Sequence, residues 1–372
     1  MMAQAGLGDT ARPWKIGVAG VGSFSQRVVI KGLQACGEAQ VVALFGRTRE
    51  RLAAVAAEHS VPAYYDDYAA FLAHPGLDAV VICTPNDTHY RFAVQALDAG
   101  KHVICEKPLA MSVQQAEALY RLARARGLRT AVNFTYRSVS PLRTIARVLE
   151  EGTIGRLYFF TIEQLQNLRA DPTAPFTWRM DRAQAGGGAL WDLGVHLIDL
   201  VHWWIGPIEA VVAQTAISVP QRPDPRTGTM VEVTTDDTAM VLVRADEGVQ
   251  GVLQTSQIAQ GRQNHLRIAL YGSRGGLLYD ADRDKEPELR ISHLPAGAEG
   301  RSGPFVELPI PRELLVSYEE FPAFHMARLV RQLKGTEEFP SFADGMRCQA
   351  VLDAAERSVR SGTWEIVRVP PL

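Results

Sequence analysis

Short apolar runs alternate with helical stretches over the first third of the chain, and this alternation predicts a parallel, doubly wound sheet. The runs predicted as strands are Trp14–Ala19, Gln40–Phe45, Ala79–Cys83, His102–Cys105 and Arg129–Asn133. The stretches predicted as helices are a segment ending near Ala35, Arg49–His59, Thr88–Ala99 and Ser112–Arg126. Ser112 and Gln115 have capping-box spacing at the start of the last helix.

Beyond Pro141 the alternation stops, and β-rich runs separated by turns predict an antiparallel sheet. After a helix over Ser140–Glu151, the predicted strands are Leu157–Glu163, Ala210–Val219, Thr238–Val243, Val249–Gln254, Leu266–Tyr271 and Leu289–Ser292. The segments interpreted as surface loops are Pro220–Gly228 and Ala281–Gly303, and the closing helices are Leu315–Lys334 and Gly345–Gly362.

One helical run in this half of the chain carries polar residues on an otherwise apolar surface. Gly186, Gly187 and Gly188 form a flexible entry, and Asp192, His196 and Asp199 follow. At about 100° per residue, His196 and Asp199 lie roughly 40° and 20° from Asp192, so all three share one stripe. Such groups are costly to bury unless they are paired or reach a wet cleft. A structural His–Asp hydrogen bond and an acid/base site both fit the pattern.

Composition excludes several classes of protein. The chain has 372 residues, enough for two domains, and a formal net charge of −2 with its lysines and arginines dispersed. Neither nucleic acid nor an anionic membrane surface is therefore an expected partner. No apolar run approaches the roughly 20 residues that span a bilayer. The four cysteines are scattered without metal-ligand spacing, which predicts no metal site and fits a reducing cytoplasm.

The turn after the first predicted strand has the pattern of a dinucleotide-binding loop. Gly20-Val21-Gly22-Ser23-Phe24-Ser25 matches Gly-x-Gly-x-x-Gly with a serine in the third place. The first glycine permits the tight turn, the second permits close approach of a pyrophosphate, and the third position needs only a small residue. The candidate cofactor contacts at this turn are Gly20, Gly22, Ser23 and Phe24.

The end of the second strand indicates which dinucleotide is preferred. A carboxylate there would bind the ribose 2′-hydroxyl of NAD. This chain has Gly46-Arg47-Thr48-Arg49, and arginine suits the 2′-phosphate of NADP. NADP is therefore the predicted cofactor, with NAD possible. The alternative is that Arg47 and Arg49 only begin a solvated helix.

Two further loops follow predicted strands, where open α/β sheets bind ligands. The first contributes Thr84, Pro85, Asn86 and His89, and the second contributes Glu106 and Lys107 before Pro108. A Lys-Pro dipeptide alone is commonplace. Beside a bound nicotinamide, however, the Lys107 charge would stabilise a developing alkoxide.

A series of motifs follows in order along the chain: Gly20-x-Gly22, Thr84-Pro85-Asn86, Glu106-Lys107-Pro108, Asn133-Phe134-Thr135-Tyr136-Arg137, Glu151-Gly152-Thr153-Ile154-Gly155, Trp178-Arg179, Gly186-Gly187-Gly188…Asp192-x-Gly194-x-His196-x-x-Asp199, Asp344-Gly345 and Ser358…Ser361-Gly362-Thr363-Trp364. With this combination the chain resembles the glucose–fructose oxidoreductase/inositol dehydrogenase (Gfo/Idh/MocA) family over residues 14–368. Ser25 and Gly46 depart from the family pattern, and Gly46 replaces a frequent acid.

Residues 1–12 are small and polar and are interpreted as a loose tail. The resemblance implies an α/β protein with two domains after this tail. These are a Rossmann dinucleotide-binding domain at 13–137 and an α/β substrate-binding and oligomerisation domain at 138–372, built on a large, open, mostly antiparallel sheet. It also implies that Lys107, Asp192 and His196 are the catalytic set, which leaves Asp199 to orient the helix or to hold His196. Candidate substrate-binding residues are these three with Tyr136, Arg137, Trp178 and Arg179, although Trp178 is equally suited to packing.

The predicted function is reversible hydride transfer between NADP, or NAD, and a hydroxyl or carbonyl carbon of a sugar, cyclitol or sugar derivative. His196, with an ordinary pKa of about 6.5, would move the proton, and Asp192 could exchange roles with it. Two alternatives are a redox-assisted glycosidase or lyase with tightly bound dinucleotide, and a non-enzymatic dinucleotide-sensing regulator. A cytoplasmic homodimer or homotetramer, assembled through the second domain's sheet, is expected.

Overall fold

A computed structural model describes residues 12–372 except Asp284 and Ala296. The chain divides into two compact units, the first running to Ser138 and taking in Val316–Arg347 and the last two residues. The second comprises Val139–Leu315 and Cys348–Pro370. The tail expected at 1–12 lies outside the described residues except for Arg12, whose guanidinium lies 2.8 Å from the Asp78 carboxylate.

The α-helices include those predicted from the sequence and two short ones that were not predicted, at 68–72 and 182–185. They are α1 (Lys31–Ala35), α2 (Arg49–Glu58), α3 (Tyr68–Leu72), α4 (Asn86–Asp98), α5 (Val113–Ala125), α6 (Ser140–Glu150), α7 (Arg182–Ala185), α8 (Val195–Trp204), α9 (Phe321–Lys334) and α10 (Phe342–Ser361). Two π-helical segments, Ser25–Ile30 and Leu190–Gly194, precede α1 and α8. None of the helices in the described part of the chain is long and apolar enough to cross a membrane.

The first unit contains a parallel six-stranded sheet in the order β3-β2-β1-β4-β5-β6. The strands are β1 (Trp14–Ala19), β2 (Ala39–Phe45), β3 (Ala63–Tyr65), β4 (Ala79–Ile82), β5 (His102–Cys105) and β6 (Thr130–Val132). The predicted Rossmann-like sheet is thus confirmed. Because the strand order reverses between β1 and β4, this edge contains the switch point where doubly wound sheets bind ligands.

The second unit contains a nine-stranded sheet in the order β16-β15-β14-β13-β7-β12-β11-β8-β17. Its strands are β7 (Leu157–Leu165), β8 (Ile208–Ala216), β11 (Thr238–Ala245), β12 (Gln250–Ser256), β13 (His265–Gly272), β14 (Gly275–Asp282), β15 (Lys285–His293), β16 (Val306–Glu307) and β17 (Glu365–Ile366). All neighbours pair antiparallel except β7 and β12, which are parallel. The prediction of a mostly antiparallel sheet is confirmed.

Both segments interpreted as surface loops contain strands, so those two predictions are wrong in part. Within 281–303, β15 pairs with β14; the predicted strand Leu289–Ser292 is its second half, and exposed charged residues concealed the first half. Within 220–228, β9 (Gln221–Pro223) pairs with β10 (Met230–Glu232). Arg222 on β9 is fully buried, and its guanidinium donates to the carbonyl oxygens of Arg169 and Asp171. This segment therefore braces a neighbouring loop.

Alternation along β11 distinguishes the two faces of the nine-stranded sheet. Ala239, Val241 and Val243 are buried, whereas Met240 and Leu242 between them are about half exposed, at 57% and 48%. Strand pairing places Phe159 of β7, 47% exposed, on this open face, where its ring stacks on Tyr271 at 4.7 Å. The open face is therefore partly apolar.

Candidate functional site

In the first unit, the glycine turn after β1 has the conformation that the sequence motif predicts. Gly20 has φ of +97°, and a Cβ there would collide with the Cys83 carbonyl group. A Cβ on Gly22 would meet no atom within 4 Å, so the backbone borders open space. Ser25 is buried and donates a 2.7 Å hydrogen bond to the Gly20 carbonyl oxygen. Such a turn ahead of a helix suits a pyrophosphate group.

Ser23 and Phe24 continue this turn and are exposed. Phe24 directly precedes the π-helical segment Ser25–Ile30. The turn therefore presents backbone and two exposed side chains beside the switch point.

The segment after β2 presents two exposed arginines at the same edge of the sheet. The Arg49 guanidinium is 3.5 Å from Asp66 and lies over the Tyr64 ring. Among the described residues, no hydrogen bond or ion pair is found for the Arg47 side chain. Thr48 is the N-cap residue of α2. Arg47 therefore has its charge available to a ligand.

The loop after β4 is tied to the loop after β5 by a buried histidine. The ring nitrogens of His89 lie 2.9 Å from the carbonyl oxygens of Pro108 and Thr84. Burial lowers the pKa of His89 despite these two acceptors. The imidazole ring of His89 therefore lies between the two loops, and its N–H donates to one of these carbonyl oxygens. Pro85 and Asn86 lie at the start of α4, which begins two residues earlier than predicted.

Lys107 follows β5 on a loop supported by a buried polar network. The Glu106 carboxylate accepts a hydrogen bond from the Asn133 amide, and Asn133 Oδ1 contacts His325 Nε2. His325 Nδ1 lies 2.7 Å from the Ser138 hydroxyl. Burial, assisted by the charge of Arg328, lowers the pKa of His325 to about 3. A neutral histidine on α9 thus supports the loop that carries Lys107.

Tyr136 and Arg137 lie in a short 3₁₀ turn, Thr135–Ser138, directly after β6. Both are half-buried. The Arg328 guanidinium donates a 2.6 Å hydrogen bond to the Arg137 carbonyl oxygen, which anchors the turn to α9. The first unit therefore collects the predicted cofactor-side residues after β1, β2, β4 and β5, and places this pair after β6.

In the second unit, Asp192 and His196 lie on one continuous helical segment. Asp192 is in the π-helical turn and His196 is in the first turn of α8. The wider π winding means that the assumed step of 100° per residue does not hold over 190–194. Asp192 is half-buried, whereas His196 and Asp199 are 8% and 1% exposed. Asp199 is the most deeply buried of the three.

The three glycines before this helix are tightly packed, so the prediction of a flexible entry is wrong. A Cβ on Gly186 or Gly187 would collide with the Trp191 indole, and one on Gly188 with the Asp236 carbonyl oxygen. The Asp236 carboxylate accepts hydrogen bonds of 2.7 and 2.8 Å from the amides of Gly188 and Leu190. These contacts fix the start of the helix that carries Asp192.

Trp178 and Arg179 lie on a 3₁₀ turn in the same unit. The Arg179 guanidinium lies over the Trp178 ring, 4.5 Å from its centroid. The Arg179 carbonyl oxygen accepts hydrogen bonds from the buried Arg169 guanidinium, at 3.3 Å, and from the Thr235 hydroxyl, at 3.1 Å. This turn is therefore tied to the buried Arg169 and to the segment that precedes β11.

Several residues of these networks escaped the sequence interpretation. They are Asp236, Arg169 and His325. The only local signal was the polar run Thr234-Thr235-Asp236-Asp237 directly before an apolar strand. Polar residues at a strand end are so common that the run does not identify a site.

Comparison with known proteins agrees with this architecture. The family model described as an oxidoreductase family with an NAD-binding Rossmann fold matches residues 14–134, and the Gfo/Idh/MocA C-terminal domain matches 142–278. An uncharacterized oxidoreductase of Synechocystis is 31% identical over 96% of each chain. The levoglucosan dehydrogenase of Pseudarthrobacter phenanthrenivorans is 30% identical over 82% of this chain and 83% of the relative.

A solved structure of levoglucosan dehydrogenase with NADH and L-sorbose superimposes with a TM-score of 0.86 at 27% identity. It covers 96% of this chain and 100% of that one. The fold and the glycine turn define an oxidoreductase with an NAD-binding Rossmann domain. More specifically, the chain belongs to the Gfo/Idh/MocA family, as its sequence motifs predicted.

Proposed function

We propose that this enzyme transfers a hydride reversibly between a nicotinamide dinucleotide and a carbon of a sugar, cyclitol or sugar derivative. The observation that carries the proposal is the glycine turn at the switch point, where Gly20 adopts positive φ and Gly22 borders open space. The named relative, levoglucosan dehydrogenase, and its structure with NADH and L-sorbose support a sugar-like substrate.

The proposed chemistry divides between three side chains. When bound, the dinucleotide supplies the hydride acceptor for oxidation and the hydride donor for reduction. During oxidation, His196 accepts the proton of the substrate hydroxyl group, and the hydride leaves the carbon atom that carries this hydroxyl group. The ammonium group of Lys107 stabilises the negative charge that develops on the oxygen. Asp192 orients the hydroxyl, and an exchange of roles with His196 is compatible with the same residues.

We further propose that NADP is preferred to NAD. Gly46 stands where a carboxylate would bind the ribose 2′-hydroxyl, and the exposed Arg47 follows it directly. A guanidinium at this position suits a 2′-phosphate, with Thr48 and Arg49 as neighbouring donors. The positions expected to contact the rest of the cofactor follow β1, β4 and β5, as described above.

For the substrate side we propose Tyr136, Arg137, Trp178 and Arg179. Stacking of Arg179 on Trp178 provides a flat apolar surface edged by guanidinium donors. Sugars present the complementary combination, with C–H faces and hydroxyl edges. This arrangement favours a polyol over a purely apolar alcohol.

The test of this function is turnover by the purified protein on a panel of sugars and cyclitols, followed by nicotinamide absorbance with each dinucleotide. Replacing Lys107 with Met or His196 with Asn should lower kcat by roughly 10²–10⁴-fold. Dinucleotide affinity, measured by fluorescence titration, should change little. Near-normal turnover in either variant would contradict the role assigned to that residue.

The same assay separates the two alternatives. A redox-assisted glycosidase or lyase would retain nucleotide through purification and form product without net absorbance change. A dinucleotide-sensing regulator would bind nucleotide and turn over none of the panel, but the dehydrogenase relative favours an enzyme.

We also propose that the chain forms a homodimer or homotetramer through the open face of its nine-stranded sheet. Phe159, Met240 and Leu242 expose about half of their surface there. Apolar side chains on a broad sheet face are stabilised when a second copy covers them. A cytoplasmic location, expected from the cysteines, stays a prediction.

A further inference from the structure

A buried side-chain amide donates a hydrogen bond to the Asp192 carboxylate. Gln257 Nε2 donates a 2.9 Å hydrogen bond to Asp192 Oδ2, and Gln257 is only 2% exposed. Its backbone is fixed on both sides, because its N–H donates to the Asp237 carbonyl oxygen and its carbonyl accepts from the Arg169 N–H. The amide that contacts Asp192 therefore projects from a rigid position just after β12.

The segment that carries Arg169 is itself held in place. Arg169 is 6% exposed, and the fully buried Arg222 donates to its carbonyl oxygen. The Arg169 guanidinium donates a 3.3 Å hydrogen bond to the Arg179 carbonyl oxygen. The Arg169 N–H therefore anchors the Gln257 main chain from a fixed position.

We propose that Gln257 is a positioning residue that holds the Asp192 carboxylate in one orientation. Its amide fixes one carboxylate oxygen directly, and its main chain is fixed by hydrogen bonds with Asp237 and Arg169. The inference rests on the proposed role of Asp192 in hydride transfer. It adds one residue, which is not expected to touch the substrate.

A double-mutant cycle tests whether Gln257 acts through Asp192. Gln257→Leu should lower kcat about 10- to 100-fold and change KM much less, because a buried hydrogen bond to a charged group is lost. In an Asp192→Asn background the same substitution should lower kcat less than about twofold. Losses that multiply independently in the double variant would overturn the proposal.

A conservative variant gives a pH dependence of kcat that a purely structural role of Gln257 would not produce. Gln257→Glu places a carboxyl group beside Asp192, and two close carboxylates retain one shared proton. The protonated pair preserves a donor to Asp192, so kcat relative to wild type should be highest at low pH and fall as pH rises. A ratio that is constant with pH would count against the proposal.

A matched control is available on α10. Gln349 is also fully buried and donates a 2.9 Å hydrogen bond to Asp353 Oδ1. Gln349→Leu should lower Tm about as much as Gln257→Leu while leaving kcat within about twofold of wild type. If both variants lost kcat equally, general loosening of the unit would explain the effect and positioning would not.

Thermal unfolding tests the hydrogen bond between Gln257 and Asp192 without any assay of activity. The Tm losses of Gln257→Leu and Asp192→Ala should not add, because each substitution removes one partner of the same interaction. Additive losses would overturn the pairing. Absence of turnover by the wild type would instead contradict the proposed function, so the two failures are distinguishable.

Discussion

At the scale of single residues, Arg47 offers the most direct test of cofactor preference. Arg47→Ala should lower kcat/KM for NADP about 10- to 100-fold, since a charge-assisted contact with the 2′-phosphate is lost. The value for NAD, which has no such phosphate, should change less than about twofold. Steady-state kinetics with both dinucleotides measures the ratio.

Arg51→Ala, at a second exposed arginine on α2, is the control and should leave the ratio unchanged. An unchanged ratio of kcat/KM for NADP to that for NAD in Arg47→Ala would mean that the loop after β2 does not contact the ribose 2′-phosphate.

His325 provides a prediction on pH and stability. Its pKa falls from 6.5 to about 3 on folding because the ring is buried, so the unfolded chain binds the proton first. Stability is therefore lost as pH falls from 6.5 towards 3. Between pH 6.5 and 4.5, the wild type should lose about 2 kcal/mol more unfolding free energy than His325→Gln.

Urea unfolding at three pH values measures this difference. The exposed His293 is the control, and His293→Gln should follow the wild type. Parallel curves for wild type and His325→Gln would show that the ring does not remain neutral in the folded state.

Individual site residues were predictable to very different degrees. Gly20, Lys107 and Asp192 lie in ordered local motifs that a single sequence reveals. Gln257 and Asp236 were not predictable, because each acts on a partner more than 40 residues away along the chain. His89 shows a third case, in which the position within the motif was recognised but its contacts with two carbonyl oxygens were not.

At the scale of elements, apolar runs such as β1 and β5 were predicted to the residue because buried parallel strands are almost continuously apolar. β3, with its paired tyrosines, and the charged first half of β15 lack that pattern, and both depend on a neighbouring strand. The π winding at 190–194 leaves no compositional trace at all. It changes hydrogen-bond partners without changing which residues are apolar.

The glycine entry to the Asp192 helix makes a prediction at this scale. A Cβ on Gly188 would collide with the Asp236 backbone, which is itself hydrogen-bonded to the same segment. Gly188→Ala should therefore destabilise the protein by about 1–3 kcal/mol, and it should lower kcat because the helix start is displaced.

Gly303→Ala is the matched control, because a Cβ there meets no atom within 4 Å and φ is not positive. Urea unfolding and turnover should distinguish the two variants. Equal free energies of unfolding in the two variants would show that the Asp236 backbone moves away from the added Cβ without destabilising the protein.

At the scale of the whole molecule, the two faces of the nine-stranded sheet present different surfaces. One face of the sheet is buried. On the other, open face, Phe159 stacks on Tyr271 and two large apolar side chains of β11 are half exposed. Charged residues such as Arg244 and Arg267 also lie on exposed positions of these strands. A copy packed on this face must therefore cover apolar surface while leaving these charges hydrated or paired.

Met240 and Met230 permit a matched test of this assembly, since they are 57% and 56% exposed. Met240 lies on the open sheet face, whereas Met230 lies on the separate β9–β10 ribbon. Met240→Glu should convert the wild-type dimer or tetramer to monomer at micromolar concentration, because an unpaired carboxylate in an apolar interface is costly. Met230→Glu should retain the wild-type mass by light scattering.

A monomeric wild type, or dissociation of both variants alike, would contradict assembly through the sheet. Dissociation should also make Tm independent of protein concentration in Met240→Glu alone, since only an oligomer is stabilised by mass action.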